Sequence, residues 1–124
     1  MSKSLVLGLH HVLIKEFGGD SGIKDERLLE SAIAQPEATF DRIYLHPEIH
    51  DKAAAYLYHI SKNHAFVDGN KRTAVAVTEI FIEKNGHRLT LSNEELFSLT
   101  TLVVESKLTK DNLCRCLKGC IVKT

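Results

Sequence analysis

The chain of 124 residues has the length of a single domain, and its content of 44% hydrophobic and 26% charged residues is ordinary for a globular protein. Sixteen basic residues balance sixteen acidic ones, so the sequence predicts no broad basic face and no direct nucleic-acid partner. No apolar run approaches the roughly 18 to 20 residues of a membrane span. The N-terminal segment has no small-residue cleavage site, so we expect a cytoplasmic protein without a membrane partner.

The spacing of apolar residues predicts an all-α fold with almost no strand. In chain order, the predicted helices cover residues 4–17, 25–35, 38–44, 47–62, 71–85, 92–107 and 110–118. Three glycines between 18 and 22 favour a loop after the first helix. Gly86 is expected to end the fifth helix in a left-handed conformation. The alternating residues 87–91 predict a short extended segment.

Ten residues beginning at His64, with the sequence HAFVDGNKRT, combine an imidazole, a carboxylate, a glycine, an amide and two cations between two predicted helices. A helix that begins here presents unpaired N–H groups to an anion. Gly69 allows close approach of a phosphate, and Lys71 and Arg72 add positive charge. Asp68 suits Mg²⁺, and His64 can act as a general base. The set predicts a phosphate-transferring active site; the alternative is a solvated turn that caps a helix.

The same segment resembles the Fic/Doc family motif, His-x-Phe-x-Asp/Glu-Gly/Ala-Asn-x-Arg, and every fixed position matches between His64 and Arg72. Upstream, the stretch GGDSGIKDERLLESA over 18–32 is similar to the loop and helix of the Doc (death-on-curing) branch. Chain length and helix order fit that branch as well, so the resemblance covers nearly the whole chain. It implies one Fic/Doc-type domain over 1–124, a compact bundle of six to seven helices.

The resemblance also implies an enzyme that transfers part of a nucleotide to a protein hydroxyl, with ATP and Mg²⁺ as cofactors. His64 would activate the hydroxyl, and Asp68 would hold the metal. The implied nucleotide-phosphate site consists of Phe66, Gly69, Asn70, Lys71 and Arg72. Within it, Lys71 and Arg72 would act in catalysis, and the ring of Phe66 would point away to anchor the loop in the core. The loop at 18–22 would line the cleft.

Position 71 distinguishes two branches of the family. AMP-transferring Fic members read Gly-Asn-Gly-Arg, whereas this chain reads Gly-Asn-Lys-Arg, as Doc toxins do. In Doc proteins this goes with a reversed nucleotide and transfer of the terminal phosphate, so the resemblance implies a Ser/Thr protein kinase. The second arginine of AMP-transferring members would fall at Val75 and is absent. Ala76 is polar in some Doc proteins, which predicts the loss of one nucleotide or metal contact.

The resemblance further suggests a biological setting. Doc toxins pair with a Phd-type antitoxin and phosphorylate translation elongation factor Tu, so it implies the toxin of a type II toxin-antitoxin system that halts translation. No Ser/Thr-x-x-x-Glu-Gly/Asn stretch, which inhibits some Fic proteins from within, occurs in the chain. Restraint by a separate partner is therefore expected. The alternatives are transfer of AMP or another nucleotide fragment, a catalytically silent partner-binding module, and ribonuclease activity.

Histidines and cysteines outside this segment are assigned no functional site. His46 and His50 could share a helix face, but the residues between them do not form an HExxH zinc motif. His10 and His11 are expected at the surface or in an interface. Three cysteines lie near the C-terminus, at Cys114, Cys116 and Cys120. They are odd in number and lack the paired spacing of zinc sites, so buried or half-buried reduced thiols are expected.

Overall fold

Six α-helices, one short 3-10 helix and four short strands make up the computed structural model, which describes all 124 residues. The helices are α1 (Lys3–Phe17), α2 (Glu26–Ala34), α3 (Ile49–Asn63), α4 (Asn70–Lys84), α5 (Asn93–Val104) and α6 (Lys110–Lys118). The predicted all-α bundle of six to seven helices is confirmed. None of these helices combines the length and the apolar character needed to cross a membrane.

Local hydrogen bonds explain where several helices begin and end. Asp25 Oδ1 accepts two backbone N–H groups of the first turn of α2. At the start of α5, the Glu95 N–H donates to Ser92 Oγ at 3.1 Å, and the Ser92 N–H donates to Glu95 Oε1 at 3.0 Å. Gly86 follows α4 with a φ of 75°, the left-handed conformation expected there.

The predicted short helix around 38–44 is wrong, because the segment forms a β-hairpin. Strand β1 (Thr39–Phe40) pairs antiparallel with β2 (Ile43–Tyr44). Between them, Asp41 and Arg42 both have positive φ angles, 52° and 65°, which is the geometry of a two-residue type I′ turn. The side chains of both strands are exposed, so no burial against the core favours a helix here.

A second two-stranded sheet fastens the C-terminus to the end of α4. The predicted extended segment after Gly86 is β3 (His87–Leu89). Its antiparallel partner is β4 (Ile121–Lys123), which the sequence pattern did not predict. The pairing brings together the two ends of the chain segment that contains α5 and α6.

The core is organised around α3, which packs against α2, α4, α5 and α6. Its three consecutive alanines, 53–55, are all buried, and their small side chains let neighbouring helices approach closely. Tyr56 and Leu57 on the same helix are also buried. Because α3 ends at Asn63 and α4 begins at Asn70, the two central helices fix both ends of the six residues between them.

Candidate active site

The motif loop (64–69) turns the chain from α3 into α4 through two left-handed residues. His64 has a φ of 54° at the end of α3, and Gly69 has a φ of 81° at the start of α4. A left-handed conformation costs a non-glycine residue about 1 to 2 kcal/mol, so the surrounding contacts must hold His64 in place. Its imidazole is exposed and lines the cleft beside the loop.

Two hydrogen bonds between Phe66 and Asn70 hold the motif loop in its conformation. The Phe66 N–H donates to Asn70 Oδ1 at 3.0 Å, and Asn70 Nδ2 donates to the Phe66 carbonyl at 2.9 Å. Phe66 is fully buried, so its contribution to a nucleotide site is support of the loop and not contact with a ligand. The side chain of Asn70, predicted to hold phosphate, is likewise committed to the loop. Only its backbone N–H, in the first turn of α4, is left for an anion.

His10 is a supporting residue that the sequence analysis missed. It was expected at the surface, but it is 3% exposed, and its ring stacks on Phe66 with centroids 3.7 Å apart. Its Nε2 lies 2.7 Å from the carbonyl oxygen of Asp68, so the ring donates a hydrogen bond to the motif loop. The buried residues of α1 are Val6, His10 and Ile14, spaced by four, and this spacing is a signal that identifies His10 as buried.

Gly69 is required by α1 as well as by its own backbone conformation. A Cβ at this position would lie 3.1 Å from Ile14 Cδ1 and 3.3 Å from His10 Cδ2. Its missing side chain therefore faces α1. The structure thus adds packing to the reason given from the sequence, which was close approach of a phosphate.

The glycine loop (18–22) holds Asp68 from the other side. The Asp20 N–H donates to Asp68 Oδ2 at 2.8 Å. A Cβ on Gly19 would lie 3.0 Å from the Asp68 Cβ, and the Gly19 φ of 114° also favours glycine. The Val67 N–H donates to the Gly22 carbonyl at 3.0 Å, so the two loops run side by side. Of the glycine loop, which was expected to line the cleft, Gly18 and Gly19 do so.

Arg72 is held by aromatic rings and by a carboxylate. Its guanidinium carbon lies 3.9 Å from the ring centroid of Phe97 and 4.5 Å from that of Phe17. Its Nη1 donates to Glu94 Oε1 at 3.0 Å. Lys71 lies farther out, with Nζ 5.0 Å from the Phe97 centroid. Glu94 belongs to α5 and is 22 positions from Arg72, so the motif alone gives no sign of this contact.

One cleft of about 510 Å³ brings the predicted catalytic side chains together. It is lined by all four of them: His64, Asp68, Lys71 and Arg72. No side chain caps the N-terminus of α4, so the first N–H groups of that helix remain unpaired at the floor of the cleft. An exposed imidazole, a carboxylate, two cations and free N–H groups form a site that can bind phosphates and accept a proton.

The donor set fits a single Mg²⁺ ion shared with phosphates. Asp68 is exposed, and its Oδ2 accepts the Asp20 N–H, which leaves Oδ1 without a protein partner. Mg²⁺ usually takes one or two carboxylates and completes its shell with waters and phosphate oxygens. Asp68 is the residue that would hold it.

Comparison with known proteins identifies the family and two relatives of the chain. Residues 1–82 match the profile of the Fic/DOC family. The protein called Toxin Doc from Mycolicibacterium smegmatis is 47% identical over 73 residues, which is 59% of this chain and 56% of that protein. Protein kinase doc from Escherichia phage P1 is 29% identical over 102 residues, 81% of this chain and 78% of the phage protein. The match thus spans little more than half the length of the first relative.

Proposed function

Because the chain belongs to the Fic/Doc family, we propose that it is a Doc-like toxin, a protein kinase that transfers the terminal phosphoryl group of ATP to a Ser or Thr hydroxyl of a protein. The observation that carries the proposal is the meeting of His64, Asp68, Lys71 and Arg72 at the uncapped N-terminus of α4. The names of the two relatives, a toxin and a kinase, support it.

In the proposed reaction the imidazole of His64 accepts the proton of the target hydroxyl. The hydroxyl oxygen bonds to the terminal phosphorus, and the bond from that phosphorus to its bridging oxygen breaks. The products are a phosphorylated protein and ADP. The exposure of His64 at the cleft mouth allows a polypeptide segment to reach it.

Charge stabilisation supplies most of the catalysis in phosphoryl transfer. Here the free N–H groups of α4 and the side chains of Lys71 and Arg72 would hold the phosphate oxygens. Mg²⁺ bound at Asp68 would neutralise phosphate charge. Phe66, Asn70 and His10 keep the motif loop in one conformation, so these groups need little rearrangement when substrate binds.

Lys71 is the residue that favours phosphoryl transfer over AMP transfer. Its side chain lies in the cleft, where a glycine would leave the space open to phosphates. Val75, at the position of the second arginine of AMP-transferring members, is 1% exposed and belongs to the core. This part of the proposal rests on family resemblance together with the placement of these two residues.

The proposed target is translation elongation factor Tu, and the proposed restraint is a Phd-type antitoxin that binds the toxin. Both follow from the Doc resemblance. Modification of an elongation factor would halt protein synthesis in the cytoplasm. The exposed catalytic imidazole is consistent with a protein substrate.

The test is intact-mass spectrometry of elongation factor Tu after incubation with this protein, ATP and Mg²⁺. We expect a mass gain of one phosphoryl group, which is absent when His64→Ala replaces the wild-type protein. Antitoxin added before ATP should suppress the gain.

Other outcomes of the same experiment separate the alternatives. A gain of one AMP group would overturn the interpretation of Lys71 and identify a nucleotidyltransferase. No mass change, together with growth inhibition that persists in the His64→Ala variant, would favour a catalytically silent binding module. Cleavage of RNA in the absence of ATP would indicate a ribonuclease.

A further inference from the structure

Three metal-ligating side chains of different chemistry meet between α3 and α6, and none of them lines the motif cleft. They are His50, Asp51 and Cys114, and their ligand atoms lie within 4.8 Å of one another. Cys114 Sγ is 3.0 Å from Asp51 Oδ1, and His50 Nε2 is 3.7 Å from the same oxygen. We propose that these three side chains bind one Zn²⁺ ion.

The distances suit zinc without rearrangement of the helices. Zinc bonds of about 2.0 to 2.3 Å in a tetrahedron place neighbouring ligand atoms about 3.5 Å apart. Two of the three separations, 3.0 and 3.7 Å, lie on either side of this value, and the third, between His50 and Cys114, is at most 4.8 Å. Rotation of the His50 and Cys114 side chains toward each other would therefore seat an ion between the imidazole, the carboxylate and the sulfur.

The three ligand types favour zinc over magnesium, which is the ion proposed for the motif cleft. Magnesium prefers oxygen ligands, whereas a set of one sulfur, one nitrogen and one oxygen suits a borderline ion such as Zn²⁺. As the zinc–sulfur bond forms, the Cys114 thiol gives up its proton to the solvent, and its hydrogen bond to Asp51 is replaced by the metal. The Glu48 N–H donates to Asp51 Oδ2 at 3.0 Å and so orients the carboxylate from outside.

A cavity of about 170 Å³ beside the cluster has room for a fourth ligand. Asp51 and Cys114 line it together with His46. Because His46 Nε2 accepts a hydrogen bond from Lys110, its Nδ1 carries the proton and cannot bind a metal. A water molecule would therefore fill the remaining position. Three protein ligands and one open position form a recognised arrangement for zinc.

The positive charges of Lys110 and Lys118 oppose a cation at this site. The Lys110 ammonium lies on the same cavity and donates to His46 Nε2 at 2.7 Å and to His59 Nε2 at 3.0 Å, and the charge of Lys118 acts on Cys114. Against these two positive charges stand the carboxylates of Asp51 and Asp111 and, once zinc binds, the Cys114 thiolate. The three negative charges outnumber the two positive ones, so the site remains attractive to a divalent ion.

Such a site would join α3 to α6 through a metal, and it does not depend on the proposed kinase activity. Its ligands come from His50 and Asp51 in the first turn of α3 and from Cys114 in the middle of α6. An ion that binds only the folded chain raises its stability. The melting temperature of the protein should therefore rise with zinc concentration.

The test uses untagged, reduced and metal-stripped protein titrated with Co²⁺ and then with Zn²⁺. A cobalt–thiolate bond gives a ligand-to-metal charge-transfer band, and tetrahedral cobalt gives intense visible bands. We expect both at one equivalent of Co²⁺ and their loss on addition of Zn²⁺. Cys114→Ser should abolish the charge-transfer band. His50→Ala should weaken zinc binding at least about tenfold, because loss of a residue that only hydrogen-bonds to a metal ligand already has an effect of about that size.

Two control variants make the result specific. Cys116, on the same helix, is exposed, whereas a buried or half-buried thiol was expected from the sequence. Cys116→Ser should leave the charge-transfer band and the visible cobalt bands unchanged. Asp68→Asn removes the carboxylate of the motif cleft and should also leave them unchanged. The proposal is overturned if wild-type protein gives no cobalt–thiolate band, or if the band survives Cys114→Ser. Circular dichroism of each variant, whose helical signal should match wild type, identifies a change that comes from misfolding.

Discussion

His10 connects α1 to the chemistry of the motif loop through a single ring. The ring stacks on Phe66 and its Nε2 donates to the Asp68 carbonyl. His10→Phe keeps an aromatic ring but removes the donor. We expect it to lower the free energy of unfolding by about 1 kcal/mol, the net worth of one hydrogen bond. We expect kcat for phosphoryl transfer to fall about tenfold or more, because the loop that carries Asp68 loses its tether.

Urea unfolding and steady-state kinetics measure these two effects. The matched control is His11→Phe, which makes the same change at the exposed neighbouring position of α1. It should affect neither quantity. A His10→Phe protein with wild-type kcat would contradict a positioning role for the hydrogen bond.

Glu94 pairs with Arg72, which the proposed function assigns to the nucleotide phosphates. The carboxylate accepts from Arg72 Nη1 at 3.0 Å, and its side chain is 73% exposed. Such an exposed pair contributes under about 1 kcal/mol to stability, so Glu94→Gln should fold normally. Freed of its partner, Arg72 should bind nucleotide phosphates more tightly, and the KM for ATP should fall a few-fold.

The matched control for this prediction is Glu83→Gln, which removes the same charge from an exposed position of α4. Its KM for ATP should equal that of the wild type. Tighter binding in both variants would mean that overall charge, and not the contact with Arg72, sets the affinity.

At the scale of elements, the glycine loop must touch the motif loop, and Gly19 is the point of closest approach. Gly19→Ala would place a Cβ 3.0 Å from that of Asp68 at a φ of 114°. We expect strain of about 1 to 2 kcal/mol from the positive φ and a displaced Asp68 carboxylate. Phosphoryl transfer should fall sharply, with a weaker response to Mg²⁺ in a metal titration.

At Gly8, in contrast to Gly19, an alanine is expected to stabilise the protein. It lies inside α1, and a Cβ there would meet nothing within 4 Å. Gly8→Ala should raise the free energy of unfolding by about 0.5 to 1 kcal/mol and leave activity unchanged. Equal activity of the Gly19→Ala and Gly8→Ala proteins would show that the contact between the two loops does not position Asp68.

The elements that the sequence predicted are those fixed by local pattern. The helices follow apolar spacing and near caps such as Asp25 and Ser92. The hairpin at 39–44 was mistaken for a helix because its apolar side chains are exposed, so they carry no periodic signal of a buried face. Strand β4 was missed because its partner lies more than 30 positions earlier, and pairing at that distance leaves no local trace.

In the candidate site, too, residues that are adjacent in the sequence were predicted, and contacts between distant residues were not. The motif residues were found because nine consecutive positions carry them. The contacts that control them were not found, because Asp20 and Glu94 reach the motif from 48 and 22 positions away. Nor did sequence spacing indicate that Cys114 meets Asp51 across 63 positions. Folding of α1, α5 and α6 onto the central helices creates all of these contacts.

At the scale of the whole molecule, α6 is fastened to the bundle by a titratable cluster. Lys110 donates to His46 and His59, which must be neutral to accept. Burial, followed by the charge of Lys110 and the proximity of His46, lowers the pKa of His59 to about 4. Burial and Lys110 also lower the pKa of His46. Protonation of either ring would place a positive charge against the ammonium.

Because folding lowers the pKa of His46 and of His59, acid is expected to destabilise the folded protein. An unfolded histidine has a pKa of about 6.5, so between pH 6.5 and 4 the unfolded chain binds a proton at His59 that the folded chain does not. Stability is therefore complete above pH 6.5 and falls with acidity. The slope for this one group is at most about 1.4 kcal/mol per pH unit. Urea unfolding at pH 7 and pH 5 should show this loss.

A variant that keeps the hydrogen bond without the titration isolates the contribution of His59. In His59→Gln the amide oxygen can accept from Lys110 but does not gain a proton in this range. Its loss of stability between pH 7 and pH 5 should be smaller than that of wild type, while His11→Gln, changed at an exposed histidine, should behave like wild type. If His59→Gln loses as much stability as wild type, acid acts elsewhere, and the attachment of α6 does not depend on a neutral His59.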